Sequence, residues 1–208
     1  MCTLFFHIFI LMKGKIFMEN WIDEILNQKI DIINNLKKNG YFESVEKAGD
    51  ILVESIKNGN KVILAGNGGS AADAQHFAGE LVGRFIIERD GLPAISLCTD
   101  PTIVTSISND YGYEELFSKE LIALGRTGDV FVAISTSGNS LNCIKALKTA
   151  REREIKTIGF LGGNGGTMKS LCDVPLIVPV NSTPRIQEIH TFTVHLLCQM
   201  IESRLFVK

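Results

Sequence analysis

The pentapeptide Gly66-Asn67-Gly68-Gly69-Ser70 separates two segments with different patterns of apolar residues. Before it, residues 61–65 form a short β-branched apolar run typical of a buried parallel strand, and after it residues 71–84 are rich in good helix formers. Glycines permit a sharp turn and expose consecutive N–H groups, and the start of a helix carries about half a positive charge. The sequence therefore predicts a strand, a glycine turn and a helix that together bind an anion such as phosphate.

The predicted helix carries a polar stripe formed by His76, Glu80 and Arg84. Residues four apart lie on one face of a helix, so these side chains point the same way. A His/Glu pair beside an anion site suits metal ligation or proton transfer, whereas an exposed polar stripe is the commoner explanation of such a pair elsewhere. The position just past a glycine turn favours the functional interpretation.

Length and composition place the chain among ordinary globular proteins. It has 208 residues, 45% of them apolar, and a formal net charge of −2, which suits one sizeable α/β core preceded by an N-terminal helical extension. No run of lysine and arginine is longer than two residues, so a nucleic-acid partner is not expected. The five cysteines are widely spaced, which indicates neither a disulfide framework nor a cysteine zinc site. We expect the cysteines to be small core residues of a protein in a reducing cytoplasm.

The N-terminal segment differs from the rest of the chain. Residues 4–12 form an apolar run that is shorter than the ~20 residues needed to span a bilayer. The basic residues Lys13 and Lys15 follow this run, whereas those of a signal peptide precede it. We therefore interpret residues 1–17 as an upstream extension or misplaced start that takes no part in the fold, residues 18–208 as one domain, and expect no membrane partner.

Apolar periodicity divides the chain into alternating helices and strands. Two amphipathic helices, residues 20–37 and 43–57, come first, either to cover the sheet or to contact another subunit. Strands are predicted at residues 61–65, 93–98, 129–134, 156–161 and 175–180. Helices are predicted at residues 71–84, 114–124, 141–152 and 184–206, with a short helix or turn at 102–108. This order predicts an α/β fold with a doubly wound parallel five-stranded sheet flanked by helices, whose ligands bind beyond the carboxyl ends of the strands.

A second loop at the end of a predicted strand is rich in hydroxyls: Ser135-Thr136-Ser137-Gly138-Asn139-Ser140. One serine at a helix start is the usual N-cap. Four hydroxyls and a glycine exceed what a cap requires and can offer O–H and N–H donors to a phosphate without a basic side chain, so we favour phosphate binding. A third cluster, Gly162-Gly163-Asn164-Gly165-Gly166, is interpreted as a flexible loop instead of a second anion site.

The final helix carries polar residues in a mostly apolar sequence. Its first half contains Arg185, Gln187, Glu188, His190 and His195. A buried histidine is more often a hydrogen-bonded core residue than a ligand. The presence of His76 and Glu80 elsewhere in the chain makes ligation a competing interpretation for the histidines of this helix.

Three of these motifs together resemble one known family. Residues 66–70, residues 135–138 and Arg185-Ile186-Gln187-Glu188 are similar to the sugar isomerase (SIS) domain, and the whole set most closely resembles the phosphoheptose isomerases. The resemblance covers residues 18–208. It implies a flavodoxin-like SIS domain and an aldose–ketose isomerase that converts sedoheptulose 7-phosphate to D-glycero-D-manno-heptose 7-phosphate, for lipopolysaccharide or capsule biosynthesis. It also implies one zinc ion per subunit and a cytoplasmic homotetramer.

Carried over position by position, the family pattern implies roles for individual residues. The phosphate site is Ser135, Thr136, Ser137 and Ser140, and the residues around the sugar are Asn67, Gly68, Gly69, Ser70, Glu80, Asn109, Asp110 and Gln187. The zinc ligands are His76, Glu80, Gln187 and His195. Glu80 and His195 are also the family's proposed acid–base pair; because a zinc-bound residue carries protons poorly, the two roles would alternate during turnover. Gln187 and His195 are separated by about 12 Å of helix rise, so both must reach inward to share a metal.

Two other functions fit parts of the sequence. Some relatives with this fold are binding proteins without catalytic residues, one of which associates with the bacterial replication initiator. Such a protein, or one that only binds a sugar phosphate, would be expected to differ at Glu80, Ser137 and His195, which here are of the catalytic type. Gly66-x-Gly68-x-x-Ala71 fits the dinucleotide fingerprint, but Asp100, the acidic residue interpreted as ending the second strand, lies about thirty residues past the glycines where roughly twenty is expected. An isomerase is therefore favoured over both alternatives.

Overall fold

The computed structural model describes residues 2–207, with side chains from residue 20 onward. The chain divides into two compact units, residues 1–39 and residues 40–208. The first unit is a helix, α1 (Cys2–Lys38), which confirms the helix predicted at residues 20–37. Apolar side chains lie along it with exposed fractions of 49–56%: Trp21, Ile22, Leu26 and Ile30. The backbone of residues 2–17 belongs to this helix, and the prediction that residues 1–17 take no part in the fold stays a prediction.

Five strands form one sheet in the second unit. They are β1 (Val62–Gly66), β2 (Ala94–Ser96), β3 (Val130–Ser135), β4 (Lys156–Gly162) and β5 (Val174–Val178). Their order is β2-β1-β3-β4-β5, and every neighbouring pair is parallel. The chain passes outward from β1 to β2 and returns across β1 to β3, so the sheet is doubly wound and the predicted fold class is confirmed.

Helices cover both faces of the sheet. They are α2 (Tyr41–Lys57), α3 (Gly69–Val82), α4 (Pro101–Tyr111), α5 (Leu116–Leu124), α6 (Leu141–Glu152) and α7 (Thr183–Phe206), with short 3₁₀ helices at Tyr113–Glu115 and Thr167–Leu171. α2, α3 and α7 pack together on one face, and α5 and α6 pack together on the other. Among the helices that the structure describes, none is long and apolar enough to cross a membrane.

The central strands are buried on both faces because apolar residues occupy successive positions, which project alternately to opposite sides. On one side Ile63 and Phe131 belong to the cluster formed with α5 and α6. On the other side Phe160 contacts Phe77 of α3 and His190 of α7, with ring centroids 6.4 and 5.6 Å apart. Burial on both faces is the reason that these strands read as continuous apolar runs in the sequence.

His190 is a core residue. It is 0% exposed, and its Nε2 lies 3.4 Å from the carbonyl oxygen of Leu161. Burial lowers the pKa of His190 to about 4. The hydrogen bond to the Leu161 carbonyl raises this pKa, but by less than burial lowers it. The side chain is therefore neutral at pH 7, as a histidine packed against an aromatic ring in the core should be.

α4 is longer than the short helix or turn predicted at residues 102–108. The Asp100 carboxylate accepts hydrogen bonds from the N–H groups of Thr102 at 2.8 Å and Ile103 at 3.2 Å. Pro101 occupies the first helical position, where its missing N–H has no consequence. Asp100, interpreted as the end of the second strand, is thus the N-cap of α4, and β2 ends at Ser96.

Candidate active site

The glycine turn (residues 66–70) and the serine loop (residues 135–140) meet where the strand order reverses. β1 and β3 are neighbours, with Gly66 paired to Ile134. One connection leaves β1 toward β2 and the other leaves β3 toward β4, so a crevice opens between the two loops. Gly68 has a left-handed φ of 55° and precedes the first turn of α3. The starts of α3 and α6 therefore lie at the part of the sheet where ligands of such folds bind.

The serine loop gathers three of its four predicted hydroxyls. Ser135 Oγ lies 2.8 Å from Ser140 Oγ and 3.4 Å from Ser137 Oγ. The Asn139 N–H donates to Ser137 Oγ at 3.2 Å, which fixes the direction of that hydroxyl. Because a hydroxyl both donates and accepts, these three can turn their hydrogens toward one anion.

The third glycine cluster (residues 162–166) packs directly against the serine loop. The N–H and hydroxyl of Thr167 both donate to Asn139 Oδ1 at 2.9 Å. Gly138 has a left-handed φ of 65°, and a Cβ added to it would run into the backbone carbonyl of Gly165. The sequence predicts a flexible loop here; in the structure the cluster supports the serine loop, and close backbone approach explains the glycines on both sides.

Two cavities flank the serine loop. Thr136 and Ser137 border a cavity of about 620 Å³ whose other walls are the third glycine cluster and the start of α7. Ser140 and Asn67 border a second cavity of about 550 Å³, together with Tyr113. Both volumes lie in the range that holds a small organic ligand.

His76, Glu80 and His195 converge between α3 and α7, and we call them the His–Glu–His cluster. Their ligand atoms all lie within 4.8 Å of one another. His76 Nε2 is 3.0 Å from Glu80 Oε1 and 3.4 Å from His195 Nε2. The side chains of His76 and Glu80 are 37% and 25% exposed, and none of the three residues lines either cavity beside the serine loop. The cluster is therefore open to a ligand from outside the subunit core.

The donor atoms of this cluster fit a zinc ion. Tetrahedral bonds of about 2.0–2.1 Å place neighbouring ligand atoms roughly 3.3 Å apart, which is close to the observed 3.0 and 3.4 Å separations. Two imidazole nitrogens and one carboxylate oxygen are also a donor set that zinc prefers. Gln187, the fourth predicted ligand, places its amide against Gly69 at the start of α3, so its ligation of the metal stays a prediction.

Asn67 of the glycine turn is bound to α6 and to the 3₁₀ helix before α5. Asn67 and Asn142 exchange amide hydrogen bonds of 2.8 and 3.0 Å, and the Tyr113 hydroxyl donates to Asn67 Oδ1 at 2.7 Å. Sequence reasoning missed Asn142 and Tyr113 because neither belongs to a glycine-rich or hydroxyl-rich motif. Asn142 lies only two residues past the serine loop, which is the one sequence signal that points to it.

Asp73 is another residue that sequence reasoning missed. It lies one turn before His76 on α3, is 8% exposed, and accepts a 2.8 Å hydrogen bond from the Thr191 hydroxyl through Oδ1. Within the described structure its Oδ2 has no hydrogen-bond partner, and burial raises the pKa of Asp73 against the opposing effects of Thr191 and His76. Since Thr191 lies one turn before His195, this contact joins α3 to α7 next to the cluster.

Two predicted sugar-binding residues lie at the end of α4. Asn109 and Asp110 are exposed, and the Asn109 amide donates to Asp110 Oδ1 at 2.8 Å. This is the only hydrogen bond that their side chains make with described residues. Their contact with a sugar therefore stays a prediction.

Known proteins match this chain over most of its length. The SIS domain family matches residues 26–162. The phosphoheptose isomerase of Aliarcobacter butzleri is 56% identical over 163 residues, which are 78% of this chain and 86% of that protein. That of Clostridium acetobutylicum is 46% identical over 190 residues, 91% and 97% of the two chains. This chain belongs to the phosphoheptose isomerases.

Solved phosphoheptose isomerases share the fold. The structure from Neisseria gonorrhoeae superposes with a TM-score of 0.84 at 40% identity, covering 89% of this chain and 99% of that one. The structure from Francisella tularensis also gives a TM-score of 0.84, at 35% identity over 88% and 97% of the two chains. Phosphoheptose isomerases are aldose–ketose isomerases, so the chain is an enzyme of that class.

Proposed function

We propose that this enzyme converts sedoheptulose 7-phosphate to D-glycero-D-manno-heptose 7-phosphate and so supplies heptose for lipopolysaccharide or capsule biosynthesis. The observation that carries the proposal is the His–Glu–His cluster, because a protein that only binds its ligand needs no carboxylate and two imidazoles within 4.8 Å. The names of the relatives indicate the substrate class. The cluster supplies the groups that the reaction requires.

The isomerisation moves a hydrogen between neighbouring carbons. A base removes the proton from C1 of the ketose, an enediolate forms across C1 and C2, and an acid returns a proton to C2. The C1 hydroxyl loses its proton and becomes the carbonyl, and the former C2 carbonyl oxygen gains a proton. We assign Glu80 as the base and His195 as the acid, since they project from two different helices and each can address a different carbon.

We assign one zinc ion per subunit to the His–Glu–His cluster, with Gln187 as the fourth ligand. The 3.0 and 3.4 Å separations within the cluster support this assignment. When bound, zinc would act as a Lewis acid that polarises substrate oxygens. His76 has no proton-transfer role in this scheme and serves as a zinc ligand.

The phosphate of the substrate is assigned to the serine loop. The Ser135 hydroxyl lies within hydrogen-bond reach of those of Ser137 and Ser140 at the start of α6, where the helix dipole favours an anion. Thr136 borders the adjoining cavity. The residues assigned to the sugar are Asn67, Gly68, Gly69 and Ser70 of the glycine turn, together with Glu80, Asn109, Asp110 and Gln187.

We further propose a cytoplasmic homotetramer in which residues 1–17 lie outside the folded domain. Two large apolar side chains that follow Glu80 in the chain, Val82 and Ile86, are 52% and 62% exposed, and neighbouring copies would cover them. The exposed apolar stripe of α1 is a second surface that a neighbouring copy would cover. Such contacts would also enclose the partly exposed cluster. The free thiols of Cys98, Cys143, Cys172 and Cys198 suit a reducing compartment.

An isomerase assay on the purified full chain tests this proposal. Sedoheptulose 7-phosphate is supplied and formation of the aldose is followed before chelation, after chelation and after zinc is added back. Loss and recovery of conversion would support both the reaction and the metal, whereas conversion that survives chelation contradicts the metal assignment alone. A folded, zinc-loaded protein that converts nothing contradicts the reaction and favours a sugar-phosphate-binding protein.

A further inference from the structure

The connection from α3 to β2 has an unusual means of support. Residues 83–91 contain neither helix nor strand, and Ile86 in their middle is 62% exposed. None of the three apolar side chains of this segment, Phe85, Ile86 and Ile87, is fully buried. The segment is also held by a buried ion pair between its Arg89 and Glu202 of α7, with both side chains 2% exposed.

Glu202 binds the segment through its backbone. Its carboxylate accepts hydrogen bonds from the N–H groups of Phe85, Ile86 and Ile87, each at 2.9 Å, and from Arg89 Nε at 2.9 Å. Burial alone would raise the pKa of Glu202, but these four donors together lower it below its ordinary value. The three consecutive N–H groups thus wrap around one ionised carboxylate, which sets the path of the chain at Phe85.

Arg89 connects the same ion pair to the end of α3. Its Nη2 donates to the carbonyl of Glu80 at 3.0 Å, and its Nη1 donates to that of Leu81 at 2.9 Å. Carbonyls in the last turn of a helix have no partner within the helix, so Arg89 supplies one. The ion pair therefore joins the helix that carries Glu80 to the helix that carries His195.

Phe85 lies at the point where this segment reaches the His–Glu–His cluster. Its ring stacks on the His195 imidazole, with centroids 5.5 Å apart and planes inclined by 29°. The His76 ring meets the same imidazole edge-on, at 5.1 Å and 84°. Contact on one face and at one edge restricts the plane of the His195 ring, and in this position its Nε2 lies 3.4 Å from His76 Nε2.

We propose that Phe85, Arg89 and Glu202 form a positioning unit for His195: the buried ion pair folds residues 83–91 so that the Phe85 ring holds the imidazole in its working orientation. The inference rests on the proposed function, in which His195 is both acid and zinc ligand. Phe85 acts by contact with the imidazole, and Arg89 and Glu202 act through Phe85.

Variants of Phe85 test the unit directly. Phe85→Leu removes the aromatic face and keeps an apolar side chain, while Phe85→Tyr keeps the face. Phe192→Leu is the matched control, because Phe192 lies on α7 and its ring contacts that of Phe42, 6.5 Å away. The measurements on the full chain are kcat, KM and the zinc affinity of the metal-free protein in competition with a chelator.

We expect Phe85→Leu to weaken zinc binding about tenfold and to lower kcat about tenfold or more, with KM within roughly twofold of wild type. Phe85→Tyr should restore both values, and Phe192→Leu should leave both unchanged. Wild-type zinc affinity and kcat in Phe85→Leu, or equal losses in Phe192→Leu, would overturn the proposal.

A crystal structure of metal-free Phe85→Leu separates this inference from the proposed function. A His195 ring turned away from His76 supports the positioning role even if the wild-type chain neither isomerises the heptose phosphate nor binds zinc. A ring that keeps Nε2 directed at His76 overturns the role, whatever the wild-type activity.

Glu202→Gln tests the ion pair behind Phe85. Each carboxylate oxygen of Glu202 accepts hydrogen bonds from two N–H groups. Whichever way a glutamine amide is turned at this position, its NH₂ group replaces one of these oxygens and faces two N–H donors. Losses equal to those of Phe85→Leu are expected, and a folded Glu202→Gln protein with wild-type kcat and zinc affinity would overturn the role of the pair. Asp129→Asn is the control, because Asp129 is also 2% exposed and also accepts backbone N–H groups, from Lys61 and Arg126. If Glu202→Gln does not fold, the Phe85 variants decide the question.

Discussion

Replacing Glu120 by glutamine should stabilise the protein at alkaline pH and leave it almost unchanged at acid pH. Glu120 lies on α5, is 6% exposed, and its Oε1 has no hydrogen-bond partner in the described structure. Burial and, to a smaller extent, the charge of Asp100 raise the pKa of Glu120 from 4.5 to about 7. The carboxyl group is therefore held in a site that suits its neutral form.

The sign and size of the effect follow from proton linkage. Because the folded state holds this proton more tightly than the unfolded chain, Glu120 costs no stability below pH 4.5 and lowers the stability progressively as the pH rises to about 7. The two pKa values differ by about 2.5, and one pKa unit corresponds to about 1.4 kcal/mol, so the full loss is about 3 kcal/mol. Glutamine keeps the shape of the side chain and has no charge to bury, so Glu120→Gln escapes this loss.

Chemical denaturation at one fixed protein concentration checks the prediction. The difference in unfolding free energy between Glu120→Gln and wild type should grow by about 2–3 kcal/mol from about pH 5 to about pH 8.5. Glu152→Gln, which removes an exposed carboxylate at the end of α6, controls for the change in net charge. A difference that stays constant over this pH range, or that is equally large in the control, would refute the argument.

Three further predictions concern the site. Glu80→Gln should lower turnover at least about a hundredfold, the usual scale for a general base, with an unchanged circular dichroism spectrum; near-normal turnover contradicts the assignment. Ser137→Ala should mainly raise KM for the phosphorylated ketose, and an unaltered KM would place the phosphate elsewhere. Gly138→Ala should cost about 1–3 kcal/mol or more of stability in thermal unfolding, because its left-handed backbone and the Gly165 carbonyl both oppose a Cβ. Gly163→Ala, at a similar φ of 63° but with more room, should cost less; equal losses would exclude the clash.

Local sequence is sufficient to predict the bounds of helices and strands that begin and end at signals in neighbouring residues. α6 was predicted at residues 141–152, where it is found, because the serine loop ends at a cap position and an apolar stripe follows. α4 was predicted too short because Asp100 was assigned to a strand, whereas its carboxylate caps a helix. Asp-Pro before a helical run is itself a helix-start signal, so this boundary was available in the sequence and was misread.

The residues of the candidate site also divide into those that local sequence predicts and those that only tertiary packing brings together. His76 and Glu80 were found from their spacing of four residues, since one helix determines their proximity. His195 was one of several polar residues on α7 until the family resemblance singled it out, because only the packing of α3 against α7 brings it to His76. The Asn67–Asn142 and Asp73–Thr191 contacts join residues 75 and 118 positions apart. Pairs at such separations leave no periodic signal, and an isolated sequence cannot reveal them.

In the proposed function, phosphate binding and proton transfer depend on different parts of this fold, and that separation can be measured. The serine loop and the glycine turn would bind the substrate through hydroxyls, backbone N–H groups and glycine conformations at the switch point of the sheet. The His–Glu–His cluster needs three particular side chains on two helices, and none of them lines the cavities beside the serine loop.

Replacing the Glu80 carboxylate should therefore remove turnover and leave a protein that still binds the sugar phosphate. Calorimetric titration of Glu80→Gln with sedoheptulose 7-phosphate should give an affinity within about tenfold of wild type, or roughly 1.4 kcal/mol, beside the hundredfold loss of turnover. If affinity fell as far as turnover, the carboxylate would be needed to bind the ground state, and the division of the site between the loops and the helices would be wrong.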